Sequence, residues 1–384
     1  MFSSSIGIDL GTANTLVYVR GGGIVINEPS VVAINQKTGQ VVAIGNEAKR
    51  MLGRTPGHIS AVRPLIDGVI SDFEVAQEML SYFIRRVIKN KHSFLSRPTI
   101  VIGVPSGITN VEVRAVRDAA KNSGAGEVFI VEEPMAAAIG VRLPVHEPIG
   151  NMIVDIGGGT TDIAVISLGG IVSAKNMRIA GDKLNQDIIQ YAKDEFKLLL
   201  GEKTAEDVKM SIGSVIKNGE GLEAAIRGRD MITGLPREVI VTDSDIREAL
   251  IKSVKALITA TKEVIEGTPP ELVSDIMHRG IVMTGGGALL KGLAQMFESE
   301  IKIPVEVSSM TSLVAEISAL TDFIMASLIS ESVTITSRGR PVIISRPLIA
   351  ASNPSPFLIT EPMDIFTSSA VFSPSNNLNS SLAY

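Results

Sequence analysis

Two stretches of this chain set an aspartate just ahead of a glycine-containing turn, each at the end of an apolar, strand-like run. They are "IGIDLGTANT", with Asp9 before Gly11, and "IVDIGGGTT", with Asp155 before Gly157, Gly158 and Gly159. A third run, "MTGGGALL", follows another apolar stretch and carries Gly285, Gly286 and Gly287. Turns of this kind let backbone N–H groups converge on an anion with no side chain in the way, which suits phosphate. A carboxylate among apolar neighbours is costly to bury unless it is paired or faces a cation. Magnesium fits, because it keeps its waters, needs few carboxylates and travels with nucleotide phosphates. The plainer alternatives are tight β-turns, and aspartates that each cap their own turn. Duplication of the acid-and-glycine pattern weighs against the second.

The chain lacks G-x-x-x-x-G-K-[ST], so it has no P-loop. No G-x-G-x-x-G opens a helix after the first strand, which counts against a dinucleotide site.

The elements that must carry these turns alternate between strand-like and helix-like segments, predicting an α/β architecture. "SIGIDLGTANTLVYVRGGGIVINEPSVVAINQ" reads as a meander of three apolar runs. A helix is predicted from about Asp72, with Phe73, Ala76, Leu80, Phe83 and Val87 on one face. "RPTIVIGVPSG" reads as a buried strand, "NVEVRAVRDAAKNSG" as a helix closed by Gly124, and "VFIVEEPMAAAIG" as a strand running into a helix at Pro134. Further on, Leu184, Ile188, Tyr191 and Leu199 share a predicted helical face, and "TAEDVKMSIGSVI" is a short helix. A long helix carries Ile246, Leu250, Val254, Leu257 and Val264. The segment from residue 6 resembles the segment from residue 152, which points to two related domains facing one ligand. Beyond about Ser308 the chain is rich in Ser, Pro and Asn with few charges, and reads as a disordered tail.

With 384 residues the chain can bury a large core in two domains. Its net charge of -5 argues against nucleic acid as a partner. It has no cysteine, which excludes disulfides and fits a reducing cytosol, and only four histidines, too few and too scattered for a metal cage. The start reads as a first strand and not as a signal peptide, and no apolar run reaches the ~18 to 20 residues of a spanning helix.

Four segments together, "GIDLGTANT", "VEEPMAAAIG", "DIGGGTTDIAVIS" and "MTGGGALLKGL", resemble the actin, sugar kinase and heat-shock ATPase superfamily. Within it the chain is similar to the MreB family of bacterial cell-shape proteins, over residues 5 to about 304. The resemblance implies an actin-like fold of the duplicated, ribonuclease H-like type, with two domains around a nucleotide cleft. It implies domain I over residues 1–140, domain II over 141–308, each with a small subdomain, and a divergent tail over 309–384. Carried over by position, Asp9 and Asp155 hold Mg2+ through water. Gly11, Thr12, Ala13 and Asn14 face Gly157, Gly158 and Gly159 across the phosphates of ATP. Glu133 orients the attacking water and Thr160 senses the terminal phosphate. Glu206 and Lys209 contact ribose and adenine, and Gly285, Gly286 and Gly287 pack on the adenosine. The residues themselves allow the water-orienting role, since phosphoryl transfer needs mainly positioning and charge stabilisation. They also allow Glu133 as a helix cap and Thr160 as a turn hydroxyl.

The same resemblance implies ATP hydrolysis, double antiparallel protofilaments of the chain with itself, and a cytoplasmic location at the inner face of the membrane. There the filaments would organise the cell-wall elongation proteins of peptidoglycan synthesis. In "RRVIKNKHSFLSRP", Phe94 and Leu95 beside basic residues suit shallow insertion into an anionic leaflet, or equally a capped core. The alternatives within the superfamily are a small-molecule kinase, for which no second-substrate base is evident, and a chaperone-type ATPase, for which the last ~80 residues are too few.

Overall fold

The computed structural model of the chain describes residues 5–66, 69–89, 97–106, 108–217 and 221–308, with two short strand segments at 336–337 and 340–341. The expected tail over 309–384, apart from those segments, lies outside the described residues.

The first half begins with a meander of β1 (Ser5–Leu10), β2 (Asn14–Val19) and β3 (Gly23–Pro29). The chain then leaves that sheet. β4 (Val32–Asn35), β5 (Val41–Ile44) and β6 (Ile59–Val62), with α1 (Asn46–Met51) between the last two, form a small sheet of order β5-β4-β6. The third apolar run expected of the meander is thus two strands, broken after Pro29. Two short strands follow, β7 (Leu65–Ile66) and β8 (Val69–Ile70). Next come α2 (Phe73–Lys89), β9 (Thr99–Val104), α3 (Asn110–Asn122), β10 (Val128–Glu132) and α4 (Glu133–Gly140).

The second half repeats the plan with β11 (Asn151–Ile156), β12 (Thr161–Ser167) and β13 (Gly170–Met177). A small-subdomain insertion follows: α5 (Gly181–Phe196), β14 (Leu198–Leu199), α6 (Glu202–Ile212), β15 (Glu223–Asp230) and β16 (Pro236–Thr242). Then come α7 (Asp243–Glu266), α8 (Pro270–Arg279), β17 (Ile281–Thr284), α9 (Leu293–Ile301) and β18 (Val305–Val307).

The two main sheets have one topology. In β10-β9-β1-β2-β3 the meander is antiparallel and β9 and β10 join parallel to β1; in β13-β12-β11-β17-β18 the meander is antiparallel and β17 and β18 join parallel to β11. The weak sequence repeat is therefore a repeat of fold. Central parallel strands are covered on both faces, which is why "TIVIGV" is buried at every position and shows no alternation.

Helical faces follow the periodicity, with two exceptions. Ala76, Leu80, Phe83 and Val87 of α2 are buried, but Phe73 at its first turn is 39% exposed. Asp72 starts that helix, accepting from the Val75 amide at 3.1 Å. Leu199 does not belong to the α5 face: Lys197 takes a left-handed conformation (φ 53°), ends the helix, and sends Leu199 into β14. All five stripe residues of α7 are buried, and Thr242 and Asp245 close its N-terminus as a capping box.

Helix α4 has a special position. Ala137 and Ala138 pack with Ile153, Ala164 and Ile166 of the second sheet, while Ala136 and Ile139 pack with Val101, Phe129 and Val131 of the first. A helix apolar all round is a buried one. Here the alanines are narrow enough to let it lie between both sheets, and its first residue is Glu133.

Candidate functional site

Asp9 and Asp155 each stand one residue before the end of their strand. β1 and β11 share one burial pattern, in which the aspartate alone is not fully buried. Asp9 lies opposite Leu16 on β2 and Gly103 on β9; Asp155 lies opposite Asp162 on β12 and Thr284 on β17. Identical register delivers both carboxylates to the same end of their sheets, where the turns begin.

The first turn is braced from beneath. Ser30 donates its hydroxyl to the Gly11 carbonyl at 2.6 Å, its hydroxyl meets Thr15 Oγ1 at 2.9 Å, and its amide donates to the Ala13 carbonyl at 3.0 Å. A Cβ at Gly11 would lie 2.8 Å from the Asn14 carbonyl. The second turn is closed by the Gly157 amide on the Thr160 carbonyl at 2.9 Å. Thr12 and Thr160 are buried, and Asn14 is exposed.

The two turns meet. A Cβ at Gly158 would sit 2.3 Å from the Ala13 Cβ, and one at Gly159 would sit 2.6 Å from the Thr12 Cγ2. Glycine is required at both positions because the opposite turn occupies the space. The third glycine turn is different. Gly285 (φ +84°) and Gly287 press against the end of β11, where a Cβ on either would lie 2.3 Å from Ile156 atoms, whereas Gly286 faces open space. For Gly285 and Gly287 close packing within the chain is therefore reason enough for glycine.

Four acids gather at this junction. Glu133 borders Gly103, its Cγ 3.9 Å from where a Cβ would be. Among the described residues its Oε1 is shielded from solvent and has no hydrogen-bond partner, and α4 has no side-chain cap bond. Burial pushes the Glu133 carboxyl well above the usual range, and the charges of Asp9, Asp162 and Asp155 push it further. Burial raises Asp9 to about 6. Asp162, which the sequence reading did not single out, is buried and raised by that burial, against which the Asn176 amide donates to its two oxygens at 3.0 and 3.1 Å. The hint was its cross-strand position facing Asp155, legible only once register is known.

Acids gathered beside backbone turns suited to anions fit a site that takes a cation together with phosphate. Among the described residues no three acidic or histidine side chains form a cage for a metal ion. Magnesium, which keeps its waters and needs few carboxylates, would fit this donor set.

Glu206 and Lys209 lie one turn apart on α6, and Lys209 reaches the second turn through α5. Gly181 and Asp182 donate their amides to the Gly157 and Gly158 carbonyls at 3.1 and 2.7 Å. Lys209 Nζ donates to the Gly181 carbonyl at 2.9 Å; burial lowers its pKa, opposed by Glu206, Asp182 and Glu202. Glu206 is at the rim, 3.8 Å from Lys49 Nζ. Phe94 and Leu95 lie outside the described residues.

With this geometry in hand, residues 3–322 match the family profile described as MreB/Mbl protein, reaching further than the resemblance read from the motifs. The chain is 52% identical over 308 residues to the cell shape-determining protein Mbl of Bacillus subtilis (strain 168), covering 80% of this chain and 92% of that one. Crystal structures of MreB5 of Spiroplasma citri bound to ADP and to AMPPNP each superpose with TM-score 0.79 at 38% identity, over 87% of this chain and 99% and 100% of theirs. The MamK double helical filament shares the fold, with TM-score 0.70 at 23% identity over 85% of this chain and 99% of that one.

Proposed function

The chain belongs to the MreB/Mbl family, and from that premise we propose that it is an actin-like, ATP-hydrolysing filament protein that determines cell shape. The observation that carries the enzymatic part is the Glu133 Oε1 atom, buried and, among the described residues, unpartnered, beside the charges of Asp9, Asp162 and Asp155. A buried acceptor without a donor is costly, and it is retained where a ligand supplies the partner. Nucleotide-bound structures of MreB5 support ATP as the ligand.

In this reading the lobes of residues 1–140 and 141–308 hold the nucleotide between them. Backbone groups of residues 11–14 and 157–159 bind the phosphates from opposite sides. Glu133 accepts a hydrogen bond from water at Oε1 and so aims it at the terminal phosphorus, while the Thr160 hydroxyl is placed to report whether that phosphate is present. Glu206 and Lys209 border the ribose and base, with Gly285, Gly286 and Gly287 beneath the adenosine. Bound magnesium would neutralise phosphate charge and polarise the bond to be broken, with Asp9 and Asp155 holding its waters. The kinase and chaperone alternatives are less supported, since the family matches are to cell-shape proteins.

Assembly of the chain with itself is tested by pelleting and phosphate release measured together. With ATP and magnesium both are expected above one threshold concentration, and neither with EDTA. Polymer without phosphate release would leave a non-hydrolysing scaffold, and absence of both would overturn the reading.

Membrane attachment and work with cell-wall elongation proteins complete the proposal. Among the described residues no helix is long and apolar enough to cross a membrane. The proposed contact is peripheral, through Phe94 and Leu95 beside basic residues. Co-sedimentation with anionic vesicles is expected and should fall at least about tenfold when both are changed to serine. Undiminished sedimentation of that variant would refute the loop as the anchor.

A further inference from the structure

Arg63 lies between β6 and β7, in the lobe of the first sheet. Its guanidinium reaches across the sequence by more than a hundred residues, donating from Nη1 to Asp182 Oδ2 at 2.9 Å and from Nη2 to Glu202 Oε1 at 2.6 Å. A guanidinium is suited to this, since its fixed fork can satisfy two acceptors at once where an ammonium acts as a point charge. The Arg63 side chain is 25% exposed and that of Asp182 29%, so the pair is screened less than an ordinary surface bridge. Lys49 and Glu206 form a second, looser pair at 3.8 Å along the same seam.

The other end of this contact is part of the candidate site. Asp182 is the second residue of α5, and its own amide holds the Gly158 carbonyl at 2.7 Å, with Gly181 doing the same for Gly157. Arg63 thus grips, through one residue, the turn that meets Ala13 of the first lobe. Three carboxylates, Asp182, Glu202 and Glu206, are balanced there by Arg63, Lys49 and Lys209. Without Arg63 the acids outnumber the cations, and their repulsion favours separation of the two lobes.

We propose that Arg63 is a positioning residue that clasps the two lobes through Asp182 and Glu202 and so sets the rate at which bound nucleotide leaves. The proposal rests on the nucleotide reading given above. It makes the clasp, and not the phosphate turns alone, the gate for exchange.

The experiment is stopped-flow displacement of a fluorescent probe, N-methylanthraniloyl-ADP with magnesium, from the full chain. Arg63→Ala is expected to speed release about tenfold, a size fitting a half-buried, forked ion pair. Glu202→Gln, at a more exposed carboxylate that is less exposed to folding failure, should speed release by a smaller factor. Combining the two should add little to Arg63→Ala, because both remove one interaction. Release from the unaltered protein should quicken with salt, and that dependence should weaken in Arg63→Ala. Unchanged release in Arg63→Ala, or effects of the two changes that simply multiply, would overturn the clasp. Failure of the unaltered protein to bind the probe would instead overturn the nucleotide reading, and the clasp with it.

Discussion

Glu133→Ala is expected to lower ATP turnover by about 10²- to 10⁴-fold, the range that a positioned general base or water-orienting group contributes. Nucleotide affinity should change by much less, since in the proposed reading the phosphates rest on backbone groups and not on this side chain. Single-turnover phosphate release, beside calorimetric titration with ATP and magnesium, measures the two separately. The same variant has a second expected signature. Removing an unpartnered buried carboxyl that three other acids already crowd should leave the nucleotide-free protein as stable as before, or raise its melting temperature. If Glu133 were a helix cap, the melting temperature would fall instead. Full turnover in Glu133→Ala would remove the residue from the mechanism.

The second large effect concerns Gly158. Its Cβ would lie 2.3 Å from the Ala13 Cβ, a contact between two short, stiff groups that no side-chain rotation relieves. Gly158→Ala must therefore part the two turns. Overpacking of this kind costs about 1–3 kcal/mol, which predicts a loss of nucleotide affinity of about five- to 150-fold if the turns close on the ligand. Gly57→Ala is the matched control, because Gly57 is exposed, its φ is not positive and nothing lies within 4 Å of the added Cβ. A sharper check is the exchange Gly158→Ala with Ala13→Gly. The methyl is then moved from one turn to the other, leaving Ala13 backbone atoms at 3.3 Å as the nearest neighbours. Recovery of most of the affinity is expected. If the double variant binds as poorly as Gly158→Ala alone, the defect does not arise from contact between the turns.

Part of this could be read from the chain directly. The two acid-and-glycine repeats mark the ends of β1 and β11 because strand alternation, turn glycines and a carboxylate among apolar residues are all local signals. The stripe of α7 was legible for the same reason, since a period of 3.6 is written in neighbours a few residues apart. Where the local signal was ambiguous, the reading slipped. Leu199 continues the helical spacing of α5, yet the left-handed turn at Lys197 ends the helix and β15 offers a strand partner. Phe73 has the spacing of its buried neighbours, but at a helix's first turn the core no longer faces it.

The alanines of α4 illustrate the divide most sharply. As sequence they mean a good helix; in the fold their small size lets one helix touch two sheets and hands Glu133 to the junction.

The sequence by itself determined the two-fold repeat, the acids and glycines at its strand ends, and the helix that presents Glu133, since each depends on residues close together in the chain. Tertiary structure alone decided that Asp162 faces Asp155, that Gly158 and Gly159 make room for Ala13 and Thr12, and that Arg63 spans to Asp182 and Glu202. Apart from Asp155 and Asp162, seven residues apart across one hairpin, those pairings join residues whose separation carries no period or motif. They arise only when strand register and lobe packing close long loops, and nothing in a local pattern encodes that closure.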